Sequence, residues 1–330
     1  MRHMVFSLII LSLASLACCR IPLAAPTPQS TPVSRQAALA DAHKMTPDED
    51  ALPPVIAPGW SQPVPLGEPI NTAGGEDSPF VSLDGQTLYF FFTPDIQLPA
   101  NQQVSDGVTG IWASQRSGQA WTEPQRVVLA EPGQPHLDGC PFVRDDQMIF
   151  CSIREGNRRS VDLYTATCRD GAWTDWRHWS ESFATTHDVG ELHITADGRR
   201  LYFASERAGG LGGLDLWVSE HVNGRWQEPV HMPPPINSAG DENRPFVTAD
   251  GQELWFDSAS HKGLPGPGIF RSVRQADGSW GDPEEIVSSF AGEPTLTSDG
   301  QTLYFVHHYL DLETRELIES DIYVTTRLAD

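Results

Sequence analysis

Residues 200–219 read RLYFASERAGGLGGLDLWVS, in which two short apolar runs are separated by a glycine-rich stretch. Leu201-Tyr202-Phe203 and Leu216-Trp217-Val218 contain aromatic and branched side chains and are bounded by Gly, Asp and Ser. Runs of this kind are typical of β-strands. The same pattern recurs along the chain, which indicates that this stretch is one unit of a repeat.

Each of the five copies begins with two strands joined by a tight turn. In the fourth copy, Pro245-Phe246-Val247 and Leu254-Trp255-Phe256 flank Asp250-Gly251. Asp-Gly between apolar runs is a strong local signal for a β-hairpin. The corresponding turns of the five copies are Asp84-Gly85, Asp145-Asp146, Asp197-Gly198, Asp250-Gly251 and Asp299-Gly300.

The two ends of the repeat predict how the fold closes. Four copies continue through a third strand to a fourth that begins at Trp121, Trp173, Trp226 or Trp280. The fifth copy stops after its third strand, at Ile322-Tyr323-Val324. The missing piece stands at the front, where Trp60 precedes Pro79 by 19 residues, as Trp226 precedes Pro245. The pattern predicts an all-β, five-bladed β-propeller of four-stranded antiparallel blades, closed by an N-terminal strand that completes the last blade.

These repeats resemble the WD40-like β-propeller repeat of TolB-like exported bacterial proteins. The resemblance covers residues 60–327, and its most specific copy contains Ser205-Glu206-Arg207-Ala208-Gly209-Gly210 and Asp215-Leu216-Trp217. The second copy departs most, with Asp146 in place of glycine and Trp176 in place of proline. The resemblance implies a rigid platform for a protein partner or a sugar, and it supplies no catalytic residues.

The N-terminal region predicts export. Residues 1–19 comprise a short basic start, an apolar run and Leu16-Ala17-Cys18-Cys19, which resembles the lipobox of bacterial lipoproteins. Cys18 or Cys19 would carry the lipid, and ordinary secretion with cleavage nearby is the alternative. Residues 20–58 are rich in Pro, Ala, Thr and Ser, a composition typical of a disordered linker. We therefore expect a cell-envelope protein that contacts the membrane only through its lipid, with residues 59–330 as a single propeller.

Composition restricts the possible partners. The 330 residues carry a formal net charge of −22, and 39% of them are hydrophobic, which is enough for a buried core. Nucleic-acid binding needs clusters of Lys and Arg, so the acidic balance argues against it. We expect a monomeric binding module whose partner is an envelope protein or a glycan.

The face that carries the long loops is the predicted functional face. Loops between second and third strands, and between blades, are long and unlike one another, and rigid scaffolds often place binding residues on such loops. The residues just before each first strand reach the same face. The candidate ligand-binding residues are Glu76, Asp77, Asp138, His187, Asp188, Glu191, Asp241, Glu242 and Glu293. Together they suit a polyhydroxylated ligand or calcium, and the alternative is that they bond their own turns or face water.

An enzymatic alternative uses the same residues. Glycosidases work with a pair of carboxyl groups whose separation sets the reaction geometry. Glu191 and Glu293, with Asp77 or Asp138, are the candidates for catalytic roles.

Two further groups bear on chemistry. His307 and His308 are adjacent on a strand, so their side chains point to opposite faces and do not predict a metal site. Cys140 and Cys151 flank the first hairpin of the second copy, and an exported protein allows a disulfide between them. A shift of one residue in strand register would prevent that bond.

Overall fold

The computed structural model describes residues 34–329, apart from 40–41, 105, 180, 182–183, 185–186, 188, 260 and 262–265. Almost every element is a β-strand, and the neighbouring strands of each group pair antiparallel. The described strands form four sheets, the largest of which contains two antiparallel groups joined by one parallel bridge between Ser320 and Gly75. The chain is a β-propeller.

We number the antiparallel strand groups as blades 1 to 5 in chain order. Blade 1 contains β3 (Gly75–Val81), β4 (Thr87–Thr93), β5 (Gly110–Ser117), β6 (Ala120–Trp121) and β7 (Gln125–Arg126). Blade 2 contains β8 (His136–Arg144), β9 (Gln147–Arg154), β10 (Asp162–Arg169) and β11 (Ala172–His178). Blade 3 contains β12 (Leu192–Ile194), β13 (Arg200–Ser205), β14 (Asp215–Val222), β15 (Arg225–Trp226) and β16 (Val230–His231).

The remaining two blades include strands from the N-terminal region. Blade 4 contains β17 (Glu242–Val247), β18 (Glu253–Ser258), β19 (Gly268–Val273) and β20 (Glu284–Ser288), with β1 (Val55–Ile56) on its outer edge. Blade 5 contains β21 (Ala291–Leu296), β22 (Thr302–Leu310), β23 (Leu317–Thr326) and β2 (Val64–Pro65). Two short helices, α1 (Arg35–Ala38) and α2 (Ala100–Gln103), lie outside the sheets. No helix in the described part of the chain is both long and apolar enough to cross a bilayer.

The N-terminal strand completes blade 5, as the repeat predicts. Val64 pairs with Val324 in antiparallel register, and Trp60 forms a further bridge with Arg327. The Asn71 side chain then clasps the third strand, since it donates to Ile322 O at 2.9 Å and accepts from Ile322 N at 3.0 Å. Asn237 makes the same pair of bonds to Leu216 in blade 3. Asparagine at this position of the repeat therefore hydrogen-bonds the outer chain to the third strand of its blade.

The region predicted as a disordered linker is only partly described. Its described residues 34–39 and 42–58 lie against blades 4, 5 and 1, with β1 paired to β20. Arg35 is only 3% exposed. This segment docks through charged side chains that meet buried partners, and Leu39, Met45 and Ile56 pack partly buried against the apolar core.

The first strands of the blades line the central channel. Phe80, Phe142, His193 and Phe246 come from four blades and meet edge-on or tilted, with ring centroids 4.5–5.4 Å apart. This layer fills the middle of the channel with side chains. Any functional site on the axis must therefore lie above or below it.

Candidate functional site

Five equivalent positions surround one end of the channel. They are the residues that immediately precede the channel-lining strand segment of each blade. We call them the mouth ring, which consists of Ser78, Cys140, Glu191, Arg244 and Glu293. Gly75 at the start of β3 pairs with Thr93 at the end of β4, so the ring lies on the face of the long loops.

A recurring bulge turns these side chains into the channel. The register between first and second strands shifts after Asp77, Gly139, Asn243 and Gly292. The next residue has a positive φ in each case, 47° at Ser78, 51° at Cys140, 50° at Arg244 and 60° at Glu293. The following proline has no N–H for the ladder, which suits a bulge. Bulges re-aim side chains, and left-handed backbone at a residue other than glycine often marks a functional position.

Arg244 is the cation at the centre of the ring. Its Nε lies 2.6 Å from Glu293 Oε1 and 3.6 Å from Glu191 Oε2, and its Nη1 lies 3.2 Å from Asp257 Oδ2. The two glutamate oxygens contact the same nitrogen, so they are no more than about 6 Å apart. Carboxylates of blades 3, 4 and 5 thus share one guanidinium.

Ser78 connects the same carboxylates from blade 1. Its Oγ donates to Glu191 Oε1 at 2.8 Å, and its backbone N–H donates to Glu293 Oε2. The same N–H also donates to Asp77 Oδ1 at 2.8 Å. Asp77, Glu191 and Glu293, which the sequence predicts separately as site residues, therefore belong to one hydrogen-bonded cluster.

The environment moves the pKa values of these carboxyl groups in opposite directions. Burial raises the pKa of Glu293 well above its ordinary value, against the effect of Arg244, and raises the pKa of Glu191 in the same way. Burial also acts to raise the pKa of Asp77, but the hydrogen bond from Glu293 and the charges of His308 and Arg244 take it below its usual range. Within the Asp77–Glu293 pair, the shared hydrogen bond therefore favours the proton on Glu293 and the charge on Asp77. General acid–base catalysis requires two groups whose pKa values are separated in this way.

The opening above the ring is small. The cavity lined by the ring holds about 40 Å³ and is floored by the aromatic layer that includes Phe80 and Phe246. A volume of this size takes water molecules and excludes a sugar ring. A larger ligand would lie across the mouth with only one group reaching the carboxylates.

Three predicted residues lie inside blades and away from the mouth. Glu76, Asp138 and Glu242 are fully buried and occupy the position three residues before the proline of their strand. Glu76 pairs with Arg35, Asp138 with Arg154 at 2.6 Å, and Glu242 with His261 at 3.3 Å. β-Strand alternation turns these side chains into the blade, so the structure does not bring them to the mouth with the other predicted residues. Asp138 is therefore not placed beside the other catalytic candidates.

Neither Asp241 nor His187 joins the cluster. Asp241 is exposed and accepts a hydrogen bond from Leu214 N at 2.9 Å, which matches the alternative that such aspartates bond nearby loop backbone. His187 is exposed. Asp188, Cys18 and Cys19 lie outside the described residues.

The predicted disulfide is absent from this structure. Cys140 and Cys151 are both free thiols. The bulge places Cys151 opposite Gly139, yet the two thiols still contact each other, and this hydrogen bond, together with burial, raises the pKa of Cys140 well above its ordinary value. The register shift that the sequence left open is therefore present, and it brings Cys140 to the mouth ring.

Among the described residues, no cluster of three or more His, Cys, Asp or Glu side chains is arranged to hold a metal ion. The mouth carboxylates face Arg244, which takes the place that a cation would need. No cluster among the described residues therefore supports the calcium hypothesis.

Sequence reasoning missed four members of the site. Ser78, Arg244, Asp257 and His308 were not among the candidates, and Asp257 lies on the second strand of blade 4. A signal for Arg244 was present, because aligning the residue before each first-strand proline yields four members of the mouth ring, and the same position of the third copy is Glu191. No sequence signal links Asp257 or His308 to the ring, since only the closed propeller brings them there.

Comparisons with known proteins support the fold. No family model and no curated protein sequence matches the chain. In structure, the chain is similar to a thermostable family-43 glycoside hydrolase, with 15% identity, a TM-score of 0.52, and coverage of 80% of this chain and 93% of that one. It is also similar to an α-L-arabinofuranosidase from Lactobacillus brevis, with 14% identity, a TM-score of 0.51, and coverage of 80% and 94%.

A third solved structure is TolB from Acinetobacter baumannii, with 13% identity, a TM-score of 0.40, and coverage of 79% of this chain and 56% of that one. The first two likenesses, whose TM-scores exceed 0.5, show a β-propeller architecture and nothing about activity. The narrower resemblance to the WD40-like repeat stays a prediction.

Proposed function

We propose that this propeller is a glycoside-active enzyme whose catalytic carboxyl groups are Asp77, Glu191 and Glu293. The observation that carries the proposal is the convergence of these groups from three blades: Glu191 and Glu293 contact one guanidinium, Asp77 and Glu293 accept from the same Ser78 N–H, and their pKa values are displaced in opposite directions. Glycoside hydrolysis needs one carboxyl group that is protonated and one that is ionised at the same pH. This favours the enzymatic hypothesis over the binding module.

Glu191 is the group we assign as general acid. Burial raises its pKa, and its side chain is 23% exposed, so it can reach a glycosidic oxygen at the mouth. Asp77 is the ionised partner that activates water or attacks the anomeric carbon. Glu293 is only 3% exposed, and its role is to hold a proton against Asp77 and so tune that group.

A panel of aryl glycosides with different leaving groups tests these roles. Glu191→Gln should lower kcat by about 10²–10⁴-fold for poor leaving groups and much less for dinitrophenolate, which departs without protonation. Asp77→Asn should lower turnover for every leaving group. Glu313→Gln, which changes an exposed carboxylate on the β22–β23 loop, is the matched control. Full activity in the Asp77→Asn and Glu191→Gln variants would rule the proposal out.

A binding module is the second candidate function. Arg244 contacts Glu191, Glu293 and Asp257, so these groups have a polar partner without a ligand, as in a rigid recognition surface. Saturable binding of a glycan or an envelope protein that Arg244→Gln weakens, with no released reducing ends, would favour this candidate over the enzyme.

We also propose export to the cell envelope with a lipid on Cys18 or Cys19. The support is the apolar N-terminal run that ends in Leu16-Ala17-Cys18-Cys19. Incorporation of a palmitate analogue into the full chain, compared between Cys18→Ala and Cys19→Ala, identifies the modified residue. Loss of labelling in neither variant would contradict the proposal.

A further inference from the structure

Residues 35–56, described apart from 40–41, run across the outside of blades 1, 5 and 4, and we call this segment the strap. Three charged strap side chains contact buried groups of opposite or complementary character. Arg35 pairs with Glu76, Lys44 with Glu319 and Asp321, and Asp50 with His307. Such contacts are specific in geometry, because each partner would be left buried and uncompensated without the strap.

Arg35 is the most deeply inserted of these side chains. Its Nη1 lies 3.1 Å from Glu76 Oε1 and donates to Ile70 O at 2.8 Å. The guanidinium also packs over Phe90, Phe92 and Trp112, 5.2–5.6 Å from the ring centroids. Glu76 is held in turn by Thr72, whose N–H donates at 2.9 Å. The residue after Glu76 is Asp77, which belongs to the hydrogen-bonded cluster of Asp77, Glu191 and Glu293.

Asp50 makes the corresponding contact in blade 5. Its Oδ2 lies 2.7 Å from Nε2 of His307, and the two side chains are 3% and 0% exposed. His307 also packs edge-on against Tyr309 and Tyr323. The residue after His307 is His308, whose Nδ1 lies 3.2 Å from the backbone oxygen of Phe290, three residues before Glu293 of the mouth ring. The charge of His308 also acts on Asp77.

Both contacts thus hold the neighbour of a residue that lies close to the mouth ring, since Asp77 accepts from Ser78 N and His308 contacts Phe290 O. Successive side chains of a strand point to opposite faces, so a side chain held on one face fixes the backbone that carries its neighbour on the other. We infer that Arg35 and Asp50 are positioning residues for the mouth, acting through Glu76 on Asp77 and through His307 on His308. The catalytic consequence rests on the proposed function; the positioning itself does not.

Kinetics of the full chain test the catalytic consequence. Arg35→Gln and Asp50→Asn should lower kcat about tenfold to a hundredfold, the scale of an ångström-sized misplacement, with KM changed by less than about threefold. Arg35→Lys should recover part of the loss. Arg154→Gln is the matched control, because it breaks the equivalent buried pair in blade 2, where the residue after Asp138 is Gly139 and has no side chain to position. An unchanged kcat in both strap variants, or an equal fall in Arg154→Gln, would overturn the inference.

Histidine NMR tests the positioning without any turnover. In protein labelled at histidine, with the His308 signal assigned from His308→Gln, Asp50→Asn should shift both the His308 resonance and its titration curve. Arg154→Gln should leave both unchanged. A wild-type His308 signal in a folded Asp50→Asn variant would contradict the inference even if the protein proves to be an enzyme, and a shifted signal would support it even if no glycoside is cleaved.

Discussion

Nε of Arg244 lies 2.6 Å from Oε1 of Glu293, so a cation on blade 4 pairs with a carboxylate on blade 5 at the channel mouth. The same nitrogen reaches Glu191 on blade 3. One side chain, Arg244, therefore offsets the cost of burying the carboxyl groups around it. Opposing charges raise the pKa of Arg244 well above its ordinary value although burial acts to lower it.

We expect Arg244→Met to lower the free energy of unfolding by about 2 kcal/mol, less than for a fully buried pair because Arg244 is 32% exposed. Without the cation, the folded-state pKa of Glu293 rises further above its unfolded value. A raised pKa contributes stability at low pH that is lost as pH rises, so the deficit should be larger at pH 8 than at pH 5. Urea unfolding at both pH values measures this. Arg169→Met, which breaks an exposed pair with Asp175, should change stability by less than about 0.5 kcal/mol.

The pH dependence of turnover should be bell-shaped. The pKa of Asp77 is depressed, so its ionisation should set an acid limb below the usual aspartate range. The pKa of Glu191 is raised, so its deprotonation should set the alkaline limb. The two limbs report the coupled cluster and not isolated groups. In Glu191→Gln, assayed with an activated aryl glycoside, the alkaline limb should disappear; its persistence would exclude Glu191 as the acid.

Glu76 should make the native state less stable as pH rises. Burial raises the pKa of Glu76 to about 8, against the opposing effect of Arg35. Because the folded pKa exceeds the unfolded one, the stability that protonated Glu76 contributes is complete below about pH 4.5 and is lost between there and about pH 8. The stability of Glu76→Gln relative to the wild type should therefore be greater at pH 8 than at pH 5. Urea unfolding measures the difference in unfolding free energy between Glu76→Gln and the wild type. An equal difference at both pH values would refute the expectation, and Glu313→Gln is the control.

Trp60 should contribute more to stability than its repeat equivalent Trp226. Trp60 is 6% exposed, packs edge-on against Trp255 with centroids 5.6 Å apart and lies beneath Arg327. Trp60→Ala should lower the free energy of unfolding by about 3–5 kcal/mol, since it leaves a cavity where the two ends of the propeller meet. Trp226 is only half-buried at an outer edge, so Trp226→Ala should cost clearly less. Similar losses in the two variants, measured by denaturant titration, would show that ring closure adds no extra stability.

The sequence repeats predicted the fold, but they predicted the site only in part. Short apolar runs, Asp-Gly turns and the displaced Trp60 strand predict the propeller and its closure, because hydrophobic period and turn chemistry are local properties. The candidate list contained Asp77, Glu191 and Glu293, but it also contained Glu76, Asp138 and Glu242, which face into the blades. One residue of register separates Asp77 from Glu76, and composition cannot distinguish them.

The sequence by itself determined the all-β architecture, the order of the strands and the supply of carboxylates ahead of the first strands. Only the tertiary structure decided which of those carboxylates meet, since the bulges and the closed ring bring residues from different blades around Arg244. It also decided how the strap docks, since Arg35 meets a buried partner 41 residues away in the chain, and Lys44 and Asp50 meet partners 275 and 257 residues away. Contacts of that separation depend on the closed ring, and no local pattern records them.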